Sequence, residues 1–310
     1  MSIDLHIHST YSDGTYSPDT IVKQAYEKGL DLIAITDHNN LESVADLRKA
    51  SQKYGQLAVM GIEISTVYHE EEVHCLGYFN LNEDFTSPKF NKLNGMLRTY
   101  KEAKGKQLRQ MIENIGKDYN DVSYDDFIQF IASIKDNNNF NRVHVANYLM
   151  HKGMVGSVQE GFDVYLNESS KYYVKKDQID LLDAIATIVD AGGLPSIAHF
   201  VQYGFKYDDV LNLIKDIVRT TNIIGIEAYH SDQNEDYTNK IMNLCYVYFN
   251  SINKEQNIQT FYTIGSDCHG ANKKVTIGQT SKGELSQFGV NVREWCAKNT
   301  IDVFKKYYLI

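Results

Sequence analysis

The sequence predicts an α/β chain, a barrel of β/α units interrupted by a helical subdomain. Short apolar runs suited to buried strands alternate with amphipathic helical stretches at both ends of the chain. Between them, residues 88–176 show helical spacing with no intervening strand pattern. Side chains with metal-ligating character recur just where the strands end, which is where parallel α/β folds gather their sites. The division is a first barrel segment at 1–87, an inserted helical cap at 88–176, and a second barrel segment at 177–310.

Ile3 to His8 reads as the first strand. Ser17 then caps a helix with Pro18 at its first position and Gly29 just past its end. Leu32 to Thr36 is a continuous apolar run of the buried parallel type, followed by a helix from Leu41 to Tyr54 stopped by Gly55. Strands at Leu57 to Ser65 and Val73 to Phe79 come next, and the His-Glu-Glu-Glu stretch at 69–72 reads as a solvated hairpin tip. In the insertion, Leu93, Leu97, Tyr100 and Leu108, Met111, Ile112, Ile115 mark apolar helix faces. Alternation then resumes: helix Leu181 to Ala191, strand Leu194 to Ala198, helix Val210 to Arg219, strand Ile223 to Tyr229, a long helix near Glu235 to Lys254, and strand Thr260 to Gly265. Such βα units imply a parallel sheet, closed or nearly closed.

With 43% hydrophobic residues, 310 residues can bury a large core. A net charge of −9 argues against coating an extended nucleic-acid duplex, yet leaves room for a local basic pocket. The cysteines, Cys75, Cys245, Cys268 and Cys296, have no Cys-x-x-Cys spacing and are too scattered for a disulfide scaffold, so a reducing cytoplasm is the expected compartment. Neither a signal-peptide pattern nor an apolar run long enough to span a membrane is present in this sequence.

The chemistry begins with Asp4-Leu5-His6-Ile7-His8. Alternation on a strand turns His6 and His8 to one face and Leu5 and Ile7 to the other, so both imidazoles can reach one ion. Ten histidines in the chain would supply about 0.3 such pairs by chance, so the pair needs context. Successive strand ends provide it: Asp13 after the first strand, Asp37 and His38 after the second, Glu63 on the third, His74 on the fourth, then His199, Asp267 and His269. Buried carboxylates without partners are costly, whereas divalent cations satisfy them and hold imidazoles neutral. Nitrogen and oxygen donors without thiolates suit Mn, Fe or Zn. Even without Asp37, nine groups exceed the needs of one ion, so two or three ions are expected.

The set His6-x-His8, Asp13-Gly14, Thr36-Asp37-His38, Gly61-Ile62-Glu63, His74-x-Leu76-Gly77-Tyr78, Ala198-His199 and Gly265-Ser266-Asp267-x-His269 resembles the PHP (polymerase and histidinol phosphatase) superfamily of metal-dependent phosphoesterases. The resemblance implies a distorted (β/α)7 barrel with a trinuclear centre, Mn first among the candidate metals. By motif position, His6, His8, Glu63 and Asp267 would hold one ion. Glu63 would bridge to a second held by His74 and His199, and Asp13, His38 and His269 would hold a third.

Asn141-Arg142-Val143-His144-Val145-Ala146, Phe162-Asp163-x-Tyr165-Leu166 and Lys171-x-Tyr173-Val174 resemble the insertion of the branch that removes the 3′-phosphate of nucleoside 3′,5′-bisphosphates and trims RNA 5′ ends. That resemblance assigns phosphate contacts to Arg142 and Lys171. Departures from the branch are Val143, Lys175-Lys176, and Gln202 where a guanidinium is common. The expected substrate is therefore a small phosphorylated nucleotide or a short RNA end, attacked by a hydroxide bridging two ions. Asp37 would orient a ligating imidazole, and His230 or His144 would protonate the leaving oxygen. A histidinol-phosphate phosphatase is the alternative enzyme, and a non-catalytic metal-binding module the alternative of another class.

Overall fold

The computed structural model describes residues 1–134, 140–203, 207–234, 236–240, 242–243, 258–280, 291–307 and 309–310, and eight strands order these described residues. The strands are β1 (Ile3–Asp4), β2 (Leu32–Ile35), β3 (Ala58–Tyr68), β4 (Glu71–Phe79), β5 (Ile179–Asp180), β6 (Leu194–Ile197), β7 (Ile223–His230) and β8 (Gln259–Gly265). They run in the order β1-β2-β3-β4-β6-β7-β8, with β5 joining β3 beyond the reach of β2. The ring closes between β8 and the stretch after β1: Leu5 N donates to Ile264 O at 2.8 Å, and Asp267 N to His6 O at 2.8 Å. Beside this seam, Asp4 is fully buried and accepts hydrogen bonds from Ser266 N (2.9 Å) and Gly278 N (2.6 Å).

The parallel sheet implied by the βα units is interrupted at one strand, next to the hairpin expected at 69–72. β4 pairs antiparallel with both β3 and β6, because residues 69 and 70 form a tight hairpin instead of a crossover helix. His69 (φ 49°) and Glu70 (φ 70°) adopt the left-handed conformation such a turn demands. Glu71 and Glu72, expected at the tip, belong to β4.

Helices α1 (Pro18–Glu27) and α2 (Val44–Tyr54) cover the first strands. The Ser17 side chain caps α1 by accepting from Thr20 N, and Gly29 follows at φ 68°. α2 starts three residues later than expected. Asn40 holds the preceding segment in a turn, with its Oδ1 accepting from Glu42 N (3.0 Å) and its Nδ2 donating to His38 O (3.0 Å).

The middle segment folds as helices α3 (Asn91–Gly116), α4 (Tyr124–Ile134), α5 (Arg142–His151) and α6 (Val158–Gly161), ending in a π-helical turn at Phe162–Leu166. α3 belongs to two cores. Its Leu93, Leu97 and Tyr100 pack with the barrel, whereas Leu108, Met111, Ile112 and Ile115 pack with Phe127, Tyr148 and Leu166 of the insertion. Helices α7 (Leu181–Asp190), α8 (Tyr207–Thr220) and α9 (Val292–Lys306) complete the outer layer. The long helix expected near Glu235 to Lys254, and Cys245 with it, lie mostly outside the described residues, of which 236–240 and 242–243 are helical. Among the described residues, no helix is long and apolar enough to cross a membrane.

Gly265 ends β8 where the chain presses against the β1 seam. A Cβ there would overlap Glu227 Oε1 and His6 Cβ. Gly265→Ala is expected to cost about 1–3 kcal/mol through forced repacking, read from denaturant melts of metal-free protein.

Candidate metal centre

One end of the barrel collects the polar side chains. His6 and His8 follow β1 on alternate positions and are fully buried, with Leu5 and Ile7 packed into the opposite layer. Glu63 lies midway along β3 and is 1% exposed. Because β4 is antiparallel, its early residue His74 faces Ser65 and sits at the same end as the strand-end ligands. His38 follows β2, His199 follows β6, and Asp267 and His269 follow β8.

The donor atoms fall into three sets. His6 Nε2 and His8 Nε2 are 3.2 Å apart, both near Glu63 Oε2 (3.3 and 3.1 Å) and Asp267 Oδ1 (3.5 and 3.2 Å). Glu63 Oε1 stands 2.8 Å from both His74 Nδ1 and His199 Nε2. Asp13 approaches His269 Nε2 at 3.3 Å, His38 Nε2 at 3.7 Å and His8 Nδ1 at 3.7 Å. Ligands about 2.1 Å from one ion stand roughly 3.0–3.4 Å from each other, so the first set already has the spacing of a coordination shell. Glu63, with one oxygen in each of the first two sets, can bridge two ions.

The opposite nitrogens are held as ligating histidines require. His6 Nδ1 meets Glu227 Oε1 at 3.0 Å. His8 Nδ1 meets Ser12 Oγ at 3.4 Å, and that hydroxyl donates to Asp37 at 2.6 Å. His74 Nε2 faces Glu72 Oε1 at 3.2 Å, and His269 Nδ1 faces Asp267 O at 2.9 Å.

Charge and backbone strain point the same way. Burial would raise the Glu63 carboxyl, yet His38, His6, His74 and His199 around it hold it well below the usual range. Burial drops His38 to about 4 despite the carboxylates of Glu63 and Asp13. Asp13 Oδ1, His38 Nδ1 and His230 Nε2 are buried without a well-formed hydrogen bond. His199 (φ 22°) and Asp267 (φ 53°) sit in the left-handed region, a strain that persists where surroundings dictate side-chain position. Oriented imidazoles, buried carboxylates and unsatisfied donor atoms together fit a cluster of divalent cations.

The other sequence candidates are placed as follows. Asp37 touches no imidazole and reaches His8 only through Ser12, itself accepting from Ser9 N (2.8 Å) and Ser9 Oγ (2.7 Å). His230 is fully buried; its Nδ1 accepts from Asp232 N at 3.1 Å, which leaves Nε2 to face Asp267 Oδ2 at 3.4 Å. Arg142 lines a cleft between the cluster and the insertion, along with His38 and His74. His144 uses Nδ1 in the α5 cap, accepting from Asn141 N at 3.1 Å. Lys171 is an exposed surface residue paired with Asp118 at 2.6 Å and does not line that cleft. Gln202 Nε2 donates to Asp232 at 3.1 Å.

Sequence reasoning missed Glu227, Glu72, Lys176 and Lys273. Lys273 Nζ lies 2.8 Å from Asp267 Oδ2 and 3.1 Å from Asp232 Oδ2, while Lys176 lines the cleft with Arg142 and Lys104. A lone carboxylate within the apolar run Ile223 to Tyr229 was the available signal for Glu227. Its partner His230 is three residues on and would face the other way on a regular strand. A bulge between Glu227 and Tyr229 turns both inward.

Burial pulls His8 down, but Asp267 and Glu63 outweigh it and push it up to about 10; burial likewise pulls His74 down, and Glu63 and Glu72 push it to about 10. In metal-free protein these raised values contribute stability that is complete below the ordinary 6.5 and is lost as pH rises through about 10. Metal affinity should run oppositely, because each imidazole must shed its proton to ligate. Manganese titrations from about pH 6 to 9 are expected to tighten steadily with proton release. A pH-independent affinity would contradict this account.

A family model described as the PHP domain matches residues 4–220. A 5′-3′ exoribonuclease of Haemophilus influenzae is 32% identical over 213 residues, covering 69% of this chain and 74% of that protein. A 3′,5′-nucleoside bisphosphate phosphatase of Chromobacterium violaceum is 29% identical over 215 residues, covering 69% and 72%. Among solved structures, a C. violaceum protein described as an amidohydrolase superposes with a TM-score of 0.75 at 24% identity, over 96% of this chain and 97% of that one. A Bifidobacterium adolescentis structure superposes at 0.73 and 22% identity over 96% of each chain. The strand-end ligand cluster, the barrel that carries it and a family match over residues 4–220 agree: this chain belongs to the PHP family.

Proposed function

We propose that this metal-dependent phosphoesterase removes a phosphate from small nucleotides that carry a second phosphate, nucleoside 3′,5′-bisphosphates foremost, or from short RNA 5′ ends. The observation that carries this reading is the cleft beside the cluster. One wall carries His38 and His74; the other, from the insertion, carries Arg142, Lys104 and Lys176 with the rings of Tyr100, Phe162 and Tyr173. Cations lining the same cleft as two of the ligating histidines suit a second phosphate, and aromatic faces suit a base. The relatives named as bisphosphate phosphatase and exoribonuclease support the same substrate class.

Two to three divalent ions, with manganese preferred, would supply a water nucleophile at neutral pH and offset charge growing on the phosphoryl oxygens. His6, His8, Glu63 and Asp267 would hold the first ion, Glu63 with His74 and His199 the second, and Asp13, His38 and His269 the third. Glu227 and the Ser12–Asp37 relay keep His6 and His8 presenting Nε2 to the ions. His230 and Lys273 fix the Asp267 carboxylate, and Arg142 orients the distal phosphate through its fork. The ligand set is complete, which favours an enzyme over a metal-binding module, and the basic wall favours a doubly phosphorylated substrate over histidinol phosphate.

His8→Ala or Asp267→Ala should lower kcat by more than about 100-fold, as removing a ligand exceeds the usual effect of removing an outer partner. A variant with full activity and full metal content would refute the ligand assignment. Arg142→Ala and Lys176→Ala should each raise KM for a nucleoside 3′,5′-bisphosphate roughly tenfold while changing a monophosphate substrate little. Lys171→Ala, whose side chain is engaged by Asp118, should change neither. Equal effects of all three on both substrates would overturn the two-phosphate reading.

A further inference from the structure

Glu72 reads in sequence as one of three acidic residues near a hairpin, but its carboxylate meets the metal cluster. It lies two residues before His74 on β4, so alternation puts both side chains on one face. His74 stands between two carboxylates: Nδ1 is 2.8 Å from Glu63 Oε1 and Nε2 is 3.2 Å from Glu72 Oε1. We propose that Glu72 is a positioning residue for the metal centre, fixing His74 in the tautomer that presents Nδ1 to the ion shared with Glu63 and His199.

The physical reason is that a neutral imidazole carries one proton and either nitrogen can bear it. A carboxylate on Nε2 holds the proton there, leaves the Nδ1 lone pair for the ion, and makes that lone pair more basic. His6 receives the same service from Glu227 on its Nδ1. Glu72 differs from Glu227 in position, because its side chain is 59% exposed and borders the cleft that holds Arg142 and Lys176. One carboxylate therefore touches a metal ligand and borders the cleft that carries the cationic wall. The neighbouring Glu71 lies on the other face of β4, bordering a different depression with Tyr68.

The inference rests on the cluster being a metal centre, and metal binding itself tests both. Metal-free wild type, Glu72→Ala, Glu72→Gln and Glu71→Ala would be titrated with Mn²⁺, free ion being read by electron paramagnetic resonance and bound ion by elemental analysis. Circular dichroism would check the fold of each. The expected result is that Glu72→Ala weakens one class of site by about 10- to 100-fold and leaves the others unchanged. Glu72→Gln, whose carbonyl oxygen still accepts from Nε2, should fall between, and Glu71→Ala should match wild type. Nitrogen-15 imidazole spectra of protein loaded with diamagnetic Zn²⁺ should show His74 protonated on Nε2 in wild type and loss of that single tautomer in Glu72→Ala. Wild-type affinity in Glu72→Ala, or an equal loss in Glu71→Ala, overturns the proposal. Failure of the wild type to bind Mn²⁺ would instead sink the metal-centre reading beneath it.

Discussion

A single buried carboxylate anchors the centre. Glu63 Oε2 lies 3.1–3.3 Å from nitrogens of His6, His8 and His38, and Oε1 lies 2.8 Å from His74 and His199. Five imidazoles on one carboxylate cannot all carry charge at that distance. The metal-free cluster settles this unevenly, with His8 and His74 pushed up to about 10 and His38 dropped to about 4. Divalent cations at this cluster would replace the uneven sharing of protons. The left-handed backbone of His199 and Asp267 lies beside the same cluster.

Much of this was legible in the chain. Strand ends can be read from apolar runs, and His6-x-His8, Thr36-Asp37-His38 and Gly265-Ser266-Asp267 stand at those ends because a barrel has one mouth. The reading stopped where geometry is not periodic. A reversed strand and a parallel one have the same apolar pattern; only the hairpin read at 69–72 signals that β4 runs back, and His74 reaches the mouth because it does. Glu227 is hidden by a bulge, which leaves no trace in residue spacing; the same bulge brings His230, a proton-donor candidate in the sequence, to its side. The acidic run at 69–72 looked uniform, and only the hairpin's register separates Glu72 from Glu71.

The insertion shows the same division between pattern and placement. Its helices were visible from their apolar spacing, and Arg142 does face the cleft. Lys171 is drawn away by Asp118, a contact set by how a loop lies over α3. Lys176, at a point where the chain departs from the branch its insertion resembles, rests over the Tyr100 ring at 4.3 Å and takes a place on the cationic wall. Charge is thus present in the cleft through residues that a motif comparison would have passed over.

The two-core helix α3 has a mechanical consequence. Its 26 residues make a rod about 39 Å long, clamped at one end in the barrel and at the other in the insertion. Gly105 lies on the stretch between the clamps, beside the cleft residue Lys104, and an interior glycine is a soft point in a helix. A pivot of about 5° there would carry the far end of the rod by roughly 1.5 Å, more than a hydrogen bond can stretch. A bend at that point would move the insertion wall of the cleft relative to the barrel wall, so the separation of the two walls depends on one helix staying straight.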